Sequence, residues 1–165
     1  NPSNLLMIAQ NIKNGLNEYI TNNYLKKQIS NNYEELKVSL SELDADIKLT
    51  AENATRKIIV VNNDSLKYLE KYGFTVISLD DSTNSISDKT VTDIKNKIKN
   101  GEINHLFILD KTTNSDTFNQ IVNDTGINTL TFKRLDNITD TERDNKEDYM
   151  TLMNYNIELL KSELY

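Results

Sequence analysis

The chain has 165 residues, enough for one well-buried core with an appended helical element but too few for two comfortable domains. Its net charge of -6 and the lack of a long Lys or Arg run argue against nucleic acid as a partner. With no cysteine, disulfides, thiolate metal sites and cysteine nucleophiles are excluded, and no apolar run approaches the length of a membrane span.

The first third of the chain is predicted to be helical. Apolar residues recur at helical spacing from Leu5 to Ile20, which predicts a helix with a core-facing side. After a break at residues 21–23, a second apolar seam runs from Tyr33 to Ile47 in alternating steps of three and four. The other faces of this longer helix are polar, which predicts a largely solvated rod. We assign residues 1–55 to a helical segment and residues 56–165 to an α/β domain.

From residue 56 onward, short apolar strands alternate with amphipathic helices. The predicted strands cover residues 57–61, 75–79, 106–109 and 127–132. The helices between them end at Gly73, Gly101 and Gly126, and a final helix follows the polar stretch 136–147. Such alternation requires crossover connections. It therefore predicts an α/β fold with a four-stranded parallel sheet and helices on both faces, preceded by the long helix.

Polar side chains come just after each predicted strand, at Asn63, Asp80, Asp110 and Asp136. Parallel strands place their carboxyl ends on one rim of the sheet, which is where open α/β folds bind ligands. For any one of these residues a helix cap or an Asx turn is the commoner role. Four of them on one rim raise the odds of a cation site without settling it. The single histidine, His105, precedes an apolar strand, a setting in which histidine is more often packed or solvated than a ligand.

The motifs of common enzyme classes are missing from the sequence. There is no glycine-rich phosphate loop, no nucleophile elbow and no zinc-protease helix motif. A Ser/His/Asp triad would have to use His105, and no serine lies in the sequence context expected of the triad's nucleophile. Adjacent acids such as Asp80 and Asp81 are usually solvated rather than catalytic. With none of these motifs in the sequence, we expect no enzyme. A flavodoxin-like enzyme or signalling domain shares the alternation but would need a phosphate loop or an acid cluster with a partner lysine.

Five local phrases, in the correct order, resemble the C-terminal half of bacterial metal-binding lipoproteins, the substrate-binding components of zinc or manganese ABC transporters. The phrases are NPSNLLMIAQNI, NNYEELKVSLSELD, VVNNDSLKYLEKYGF, IVNDTGI and DYMTLMNYNIELLKSEL. The resemblance implies a linker helix and a C-terminal lobe, with an N-terminal lobe outside this sequence. Because the chain enters a helical pattern directly after Asn1 and Pro2, without a methionine, we expect a fragment of a longer protein.

The resemblance also implies a function and a ligand set. The function is that of a receptor that binds Zn²⁺ or Mn²⁺ between two lobes and delivers it to a membrane permease. Such receptors lie on the extracellular face of the membrane, held by a lipid anchor, or in the periplasm. Asn63 and Asp136 match positions nearest the metal, and Asp64 and Asp110 match supporting positions.

Asn63 departs from the family pattern, which has His or Glu at this corner. A carboxamide is a weaker ligand than an imidazole or a carboxylate, and zinc favours nitrogen, sulfur and charged oxygen. Three explanations stay open. Asp64 has replaced the lost ligand, or the site is tuned to manganese or another hard cation, or the protein has kept the scaffold and lost metal transport. The last corresponds to an alternative function, an adhesion or protein-interaction module with a degenerate metal site.

Overall fold

A computed structural model describes residues 1–82 and 85–165. Residues 83 and 84, within the polar loop predicted at 80–87, lie outside the described residues. The described residues form two compact units, Asn1–Ile47 and Lys48–Tyr165. The predicted boundary between a helical segment, residues 1–55, and an α/β domain, residues 56–165, stays a prediction. Among the described helices, none combines the length and the apolar character needed to cross a membrane.

The first unit is a helical hairpin formed by α1, Pro2–Tyr19, and most of α2, Asn23–Asn53. Asn22 starts α2, because its side-chain oxygen accepts hydrogen bonds from two amide N–H groups of the first turn. The hydroxyl of Ser3 donates to Asp44 Oδ1 at 2.9 Å. A contact between the start of one helix and the far part of the other shows that the two helices run antiparallel.

The apolar stripe of α1 is exposed rather than buried. Ile8 and Ile12 are each more than half exposed, and Leu16 is 42% exposed. Together with Ile29 and Leu36 of α2, Ile12 and Leu16 line an open apolar groove. The prediction that this stripe faces a core is therefore not met within the part of the chain that the structure describes.

The second unit contains the sheet. Its elements are β1 (Ile58–Val61), a 3₁₀ helix (Asp64–Tyr72), β2 (Thr75–Ser78), α3 (Asp88–Lys99), β3 (His105–Leu109), α4 (Asp116–Thr125), β4 (Asn128–Phe132), α5 (Asp140–Asp144) and α6 (Tyr149–Leu164). All strand pairs are parallel, in the order β2-β1-β3-β4. The predicted α/β fold with a four-stranded parallel sheet is confirmed. The short helix α5 lies inside the stretch predicted to be polar loop.

Both faces of the sheet are covered. Val60 and Leu106 pack on one face with residues of α3 and α4, including Ile94. Phe107 is next to Leu106 in the same strand and points to the opposite face, where its ring stacks on Phe132 at 4.6 Å between centroids. Helix α6 adds a buried apolar stripe, namely Leu152, Met153, Ile157, Leu160 and Leu164.

The helix after β1 is a 3₁₀ helix, whereas the sequence pattern predicted only an amphipathic helix. The predicted inner face was Leu66, Leu69 and Tyr72, at steps of three. Three residues per turn align such a series on one side, and Leu66 and Leu69 are indeed buried. Gly73, at φ 96°, ends the helix in a conformation that glycine adopts without strain.

The end of α6 is fastened to residues far away in the sequence. The guanidinium of Arg56 donates to the carbonyl oxygen of Glu163 at 2.7 and 3.1 Å. The Glu163 carboxylate, 1% exposed, accepts from the amide of Asn104 at 2.8 Å and lies 2.8 Å from His105 Nδ1. His105 begins β3 and so lies on the edge opposite the candidate rim. Its side chain is 27% exposed and is paired with Glu163, away from the predicted donors.

Candidate metal-binding site

The candidate rim is the carboxyl edge of the sheet, where the connections leave the strands. From β1 the chain moves to β2 on one side and then crosses to β3 on the other side. The point between β1 and β3 is therefore the topological switch point, the usual ligand position in open α/β sheets. The corner at residues 62–64 follows β1, and the loop at residues 110–115 follows β3.

Asn62 fills this switch point. It is 2% exposed, and its backbone N–H continues the β1–β3 ladder to the carbonyl of Phe107. Its side-chain Nδ2 donates to Thr112 Oγ1 at 2.9 Å and to Asn114 Oδ1 at 2.8 Å. Its Oδ1 accepts from the amide of Leu109 at 2.8 Å. The side chain thus joins the ends of two strands.

Asn63 starts the 3₁₀ helix. Its Oδ1 accepts from the amide of Ser65 at 3.0 Å, which is the capping role weighed against a ligand role in the sequence. A carbonyl oxygen has two lone pairs, so this hydrogen bond leaves one acceptor position on Asn63. The residue is partly exposed. Capping and metal binding are therefore compatible at this position.

Asp64 lies in a polar cleft between the ends of β1 and β2. Lys67 Nζ lies 2.8 Å from its Oδ1, and the hydrogen bonds from Lys67 and then Ser78 hold the pKa of Asp64 below its usual range. Its backbone N–H donates to Asp80 Oδ2 at 3.3 Å. Hydrogen bonds from Ser82 similarly lower the pKa of Asp80. Both carboxylates are therefore charged at neutral pH.

Asp110 and Asp136 lie on the other part of the rim, beyond β3 and β4. The guanidinium of Arg134 donates two hydrogen bonds to the carboxylate of Asp136, one of them from Nε at 2.9 Å. These hydrogen bonds lower the pKa of Asp136. Asp110 and Arg134 line one small cavity of about 90 Å³. Its remaining lining residues are Lys111, Asn137, Thr139 and Glu142.

The structure places Asp64 beside Asp80, and Asp110 beside Arg134, the partner of Asp136. It does not gather the four predicted donors into one cluster. Among the described residues, no three His, Asp or Glu side chains are close enough to hold a metal ion together. The four predicted donors are all oxygens, which suit hard cations better than zinc.

Two buried asparagines on this side of the molecule were not predicted as contributors. Asn62 was seen only as part of the corner, and Asn156 was not singled out. Asn156 Oδ1 accepts from the amide of Lys133 at 2.8 Å, and its Nδ2 donates to the carbonyl of Lys133 at 3.0 Å. It thereby fixes the chain just before Arg134 and Asp136. Its signal in the sequence is an amide within an otherwise apolar helical stripe.

Comparison with solved structures supports the fold. The zinc-bound ZnuA-like domain of AdcA from Streptococcus pneumoniae has a TM-score of 0.72 and 18% identity, over 99% of this chain and 61% of that chain. The metal-dependent lipoprotein YcdH from Bacillus subtilis has a TM-score of 0.65 and 20% identity, over 84% and 53%. A crystal structure of ZnuA has a TM-score of 0.73 and 13% identity, over 99% of this chain and 58% of that chain. At these identities the likeness shows the fold alone.

The chain spans between 53% and 61% of the length of these three structures. No curated protein matches it. The model of one protein family does match, over residues 1–163, and its description is zinc-uptake complex component A, periplasmic. That match covers almost the whole chain and confirms the resemblance drawn from the five phrases. The chain therefore belongs to the ZnuA family.

Proposed function

We propose that this chain is part of a metal-ion receptor of an ABC transporter, which binds its cargo and passes it to a membrane permease without chemical change. The observation that carries this proposal is the family match over residues 1–163. The zinc-bound state of the AdcA domain of similar fold supports Zn²⁺ as the cargo. Mn²⁺ remains in the proposal because the four predicted donors are all oxygens. Such a receptor is not an enzyme.

Asn63 and Asp136 are the proposed donors nearest the metal, with Asp64 and Asp110 in support. What supports this assignment is their place after three strands of one parallel sheet, on a single rim. The ionised state of Asp64 and Asp136 at neutral pH suits cation binding. Asp64 is paired with Lys67 between partly exposed side chains, and such ion pairs contribute little to stability, so a metal ion can displace Lys67 at small cost. Arg134 holds Asp136 through two hydrogen bonds, a stronger pairing that a metal ion would have to open.

The remaining ligands are proposed to come from a second lobe of the same protein, because the four donors proposed in this chain are all oxygens. Zinc binding would then draw nitrogen ligands from that lobe. The partners of the intact protein are accordingly the metal ion and the transporter permease. Its proposed place is the extracellular face of the membrane, held by a lipid anchor, or the periplasm.

A second candidate is an adhesion or protein-interaction module that has kept the scaffold with a degenerate metal site. The specific observation in its favour is that two proposed donors are already engaged. Asn63 caps the 3₁₀ helix, and Asp136 is held by Arg134. This candidate predicts that no metal ion stabilises the protein.

Thermal unfolding of the intact natural protein, stripped of metal and then supplied with Zn²⁺ or Mn²⁺, separates the two candidates. A ligand that binds only the folded state adds about 2.7 kcal/mol at a hundredfold excess over Kd. A metal receptor will show this rise, and Asp136→Ala will reduce it. Asp140→Ala is the control, since it removes an exposed carboxylate outside the proposed donor set. If neither metal raises the unfolding temperature, the receptor proposal is wrong.

A further inference from the structure

We propose that Asn62 is a positioning residue for the metal donors: its carboxamide locks the corner after β1 to the loop after β3 and so sets where Asn63 and Asp110 stand. The proposal rests on the proposed function. It extends that function by naming a residue that holds the donors without contacting the metal.

The side chain of Asn62 holds this lock through three hydrogen bonds. Both hydrogens of Nδ2 are donated, to Thr112 and to Asn114, and Oδ1 accepts from the amide of Leu109. All three contacts are 2.8 or 2.9 Å long, and the residue is 2% exposed. Because the side chain is buried between the two loops, we assign it the role of holding the donors rather than that of a ligand.

The lock lies directly beside two proposed donors. Asn63 is the next residue after Asn62, and Asp110 is the next residue after Leu109, whose amide Asn62 binds. One side chain thus connects the backbone at two donors that come from different strands. Asp110 is held on its other side by its own amide, which donates to the carbonyl of Phe132 at 2.9 Å. Without the Asn62 contacts, the distance between Asn63 and Asp110 would no longer be fixed.

The loop after β3 needs such support. Lys111 has a φ of 57°, in the left-handed region that a lysine seldom adopts. Thr112 closes this turn, because its amide and its hydroxyl both donate to the carbonyl of Leu109, at 3.2 and 2.6 Å. The same hydroxyl accepts from Asn62. The strained turn is therefore held by the residue that also holds the corner.

The test measures the Kd for Zn²⁺ and Mn²⁺ by competition with a chromophoric chelator, using the intact natural protein. The unfolding temperature of each metal-free variant is measured alongside. Asn62→Ala removes the whole lock. Thr112→Val removes only the hydroxyl at nearly equal volume, and Thr112→Ser restores it. Residues that orient metal ligands typically change affinity by 10–100-fold, so Asn62→Ala and Thr112→Val should raise Kd by about tenfold or more, while Thr112→Ser should not.

Glu163→Gln is the control for lost stability. Glu163 is 1% exposed and binds Asn104 and His105 at the opposite edge of the sheet, away from the proposed donors. We expect this change to lower the unfolding temperature and leave Kd unchanged. Equal weakening of metal binding by Glu163→Gln would overturn the positioning role, since general loosening would then explain both effects.

The remaining outcomes are also decisive. If the natural protein binds metal and neither Asn62→Ala nor Thr112→Val changes Kd, this inference is wrong and the proposed function stands. If Asn62→Ala fails to fold, Thr112→Val compared with Thr112→Ser decides the question. If the natural protein binds neither Zn²⁺ nor Mn²⁺, the proposed function and this inference both fall.

Discussion

Removal of the Glu163 carboxylate should destabilise the fold strongly. Glu163 lies in the last turn of α6, where a negative charge opposes the helix dipole, so the dipole alone predicts a gain of about 0.3–1 kcal/mol on its removal. The contacts predict the opposite sign. The carboxylate is 1% exposed and serves both the amide of Asn104 and the ring of His105 at 2.8 Å. Its removal leaves the amide of Asn104, which donates to this buried carboxylate, without an acceptor and the His105 ring without its partner. An unsatisfied buried donor costs about 1–3 kcal/mol, so Glu163→Ala should lose roughly 2–4 kcal/mol.

The assay is urea unfolding of the metal-free protein, compared with Glu158→Ala on the same helix. Glu158 is 70% exposed and pairs with Lys161 one turn away, so its loss should change the free energy of unfolding by less than about 0.5 kcal/mol. Glu163→Gln keeps an acceptor for Asn104 and should cost roughly 1–2 kcal/mol. If Glu163→Ala loses no more than Glu158→Ala, or if it gains stability, the contact argument is refuted and the dipole dominates.

Three further changes test the rim and its support. Asn156→Asp should lower the free energy of unfolding by about 1–3 kcal/mol, because it removes the N–H that donates to the Lys133 carbonyl. Asn154→Asp, at an exposed position of the same helix, should leave it nearly unchanged in the same urea titration. Hydrogen bonds from Thr139 lower the pKa of Glu142 from its usual 4.5. The stabilisation of the fold by the charged Glu142 is therefore present above pH 4.5 and is lost as the pH falls through the lower pKa of the folded state. Glu142→Gln should therefore flatten the acid side of a stability–pH curve. Asn63→Asp keeps the cap and adds a charge, so metal-free stability should hold while metal affinity rises, as calorimetric titration would show; unchanged affinity would exclude Asn63 as a ligand.

The fold could be predicted because its signals are local and repeated. β1 and β3 are short apolar runs followed by a polar residue, and Gly73 and Gly126 end helices in the left-handed conformation that glycine adopts without strain. Ser115 caps α4, a role typical of serine. Parallel pairing then follows from the crossover connections, which admit few alternatives. None of these inferences depends on a contact between residues distant in the sequence.

The failures come from features that depend on such contacts or on their absence. The stripe of α1 has the spacing of a buried face, yet Ile8 and Ile12 remain exposed in the described structure, because spacing shows which side is apolar and not what covers it. The short helix α5 was missed inside a polar stretch. Its start depends on a capping box between Thr139 and Glu142, a signal of only two residues.

The site is harder to predict than the fold because three of its key residues are asparagines with different roles. A carboxamide both donates and accepts, so Asn62 can lock two loops, Asn63 can cap a helix and Asn156 can bind the backbone of Lys133 as a neighbouring strand would. The sequence shows the same letter at each position. What separates the roles is burial, because each side-chain oxygen accepts one hydrogen bond. Asn62 and Asn156 are buried and Asn63 is partly exposed, so of the three Asn63 is the one placed to contribute directly to a metal site.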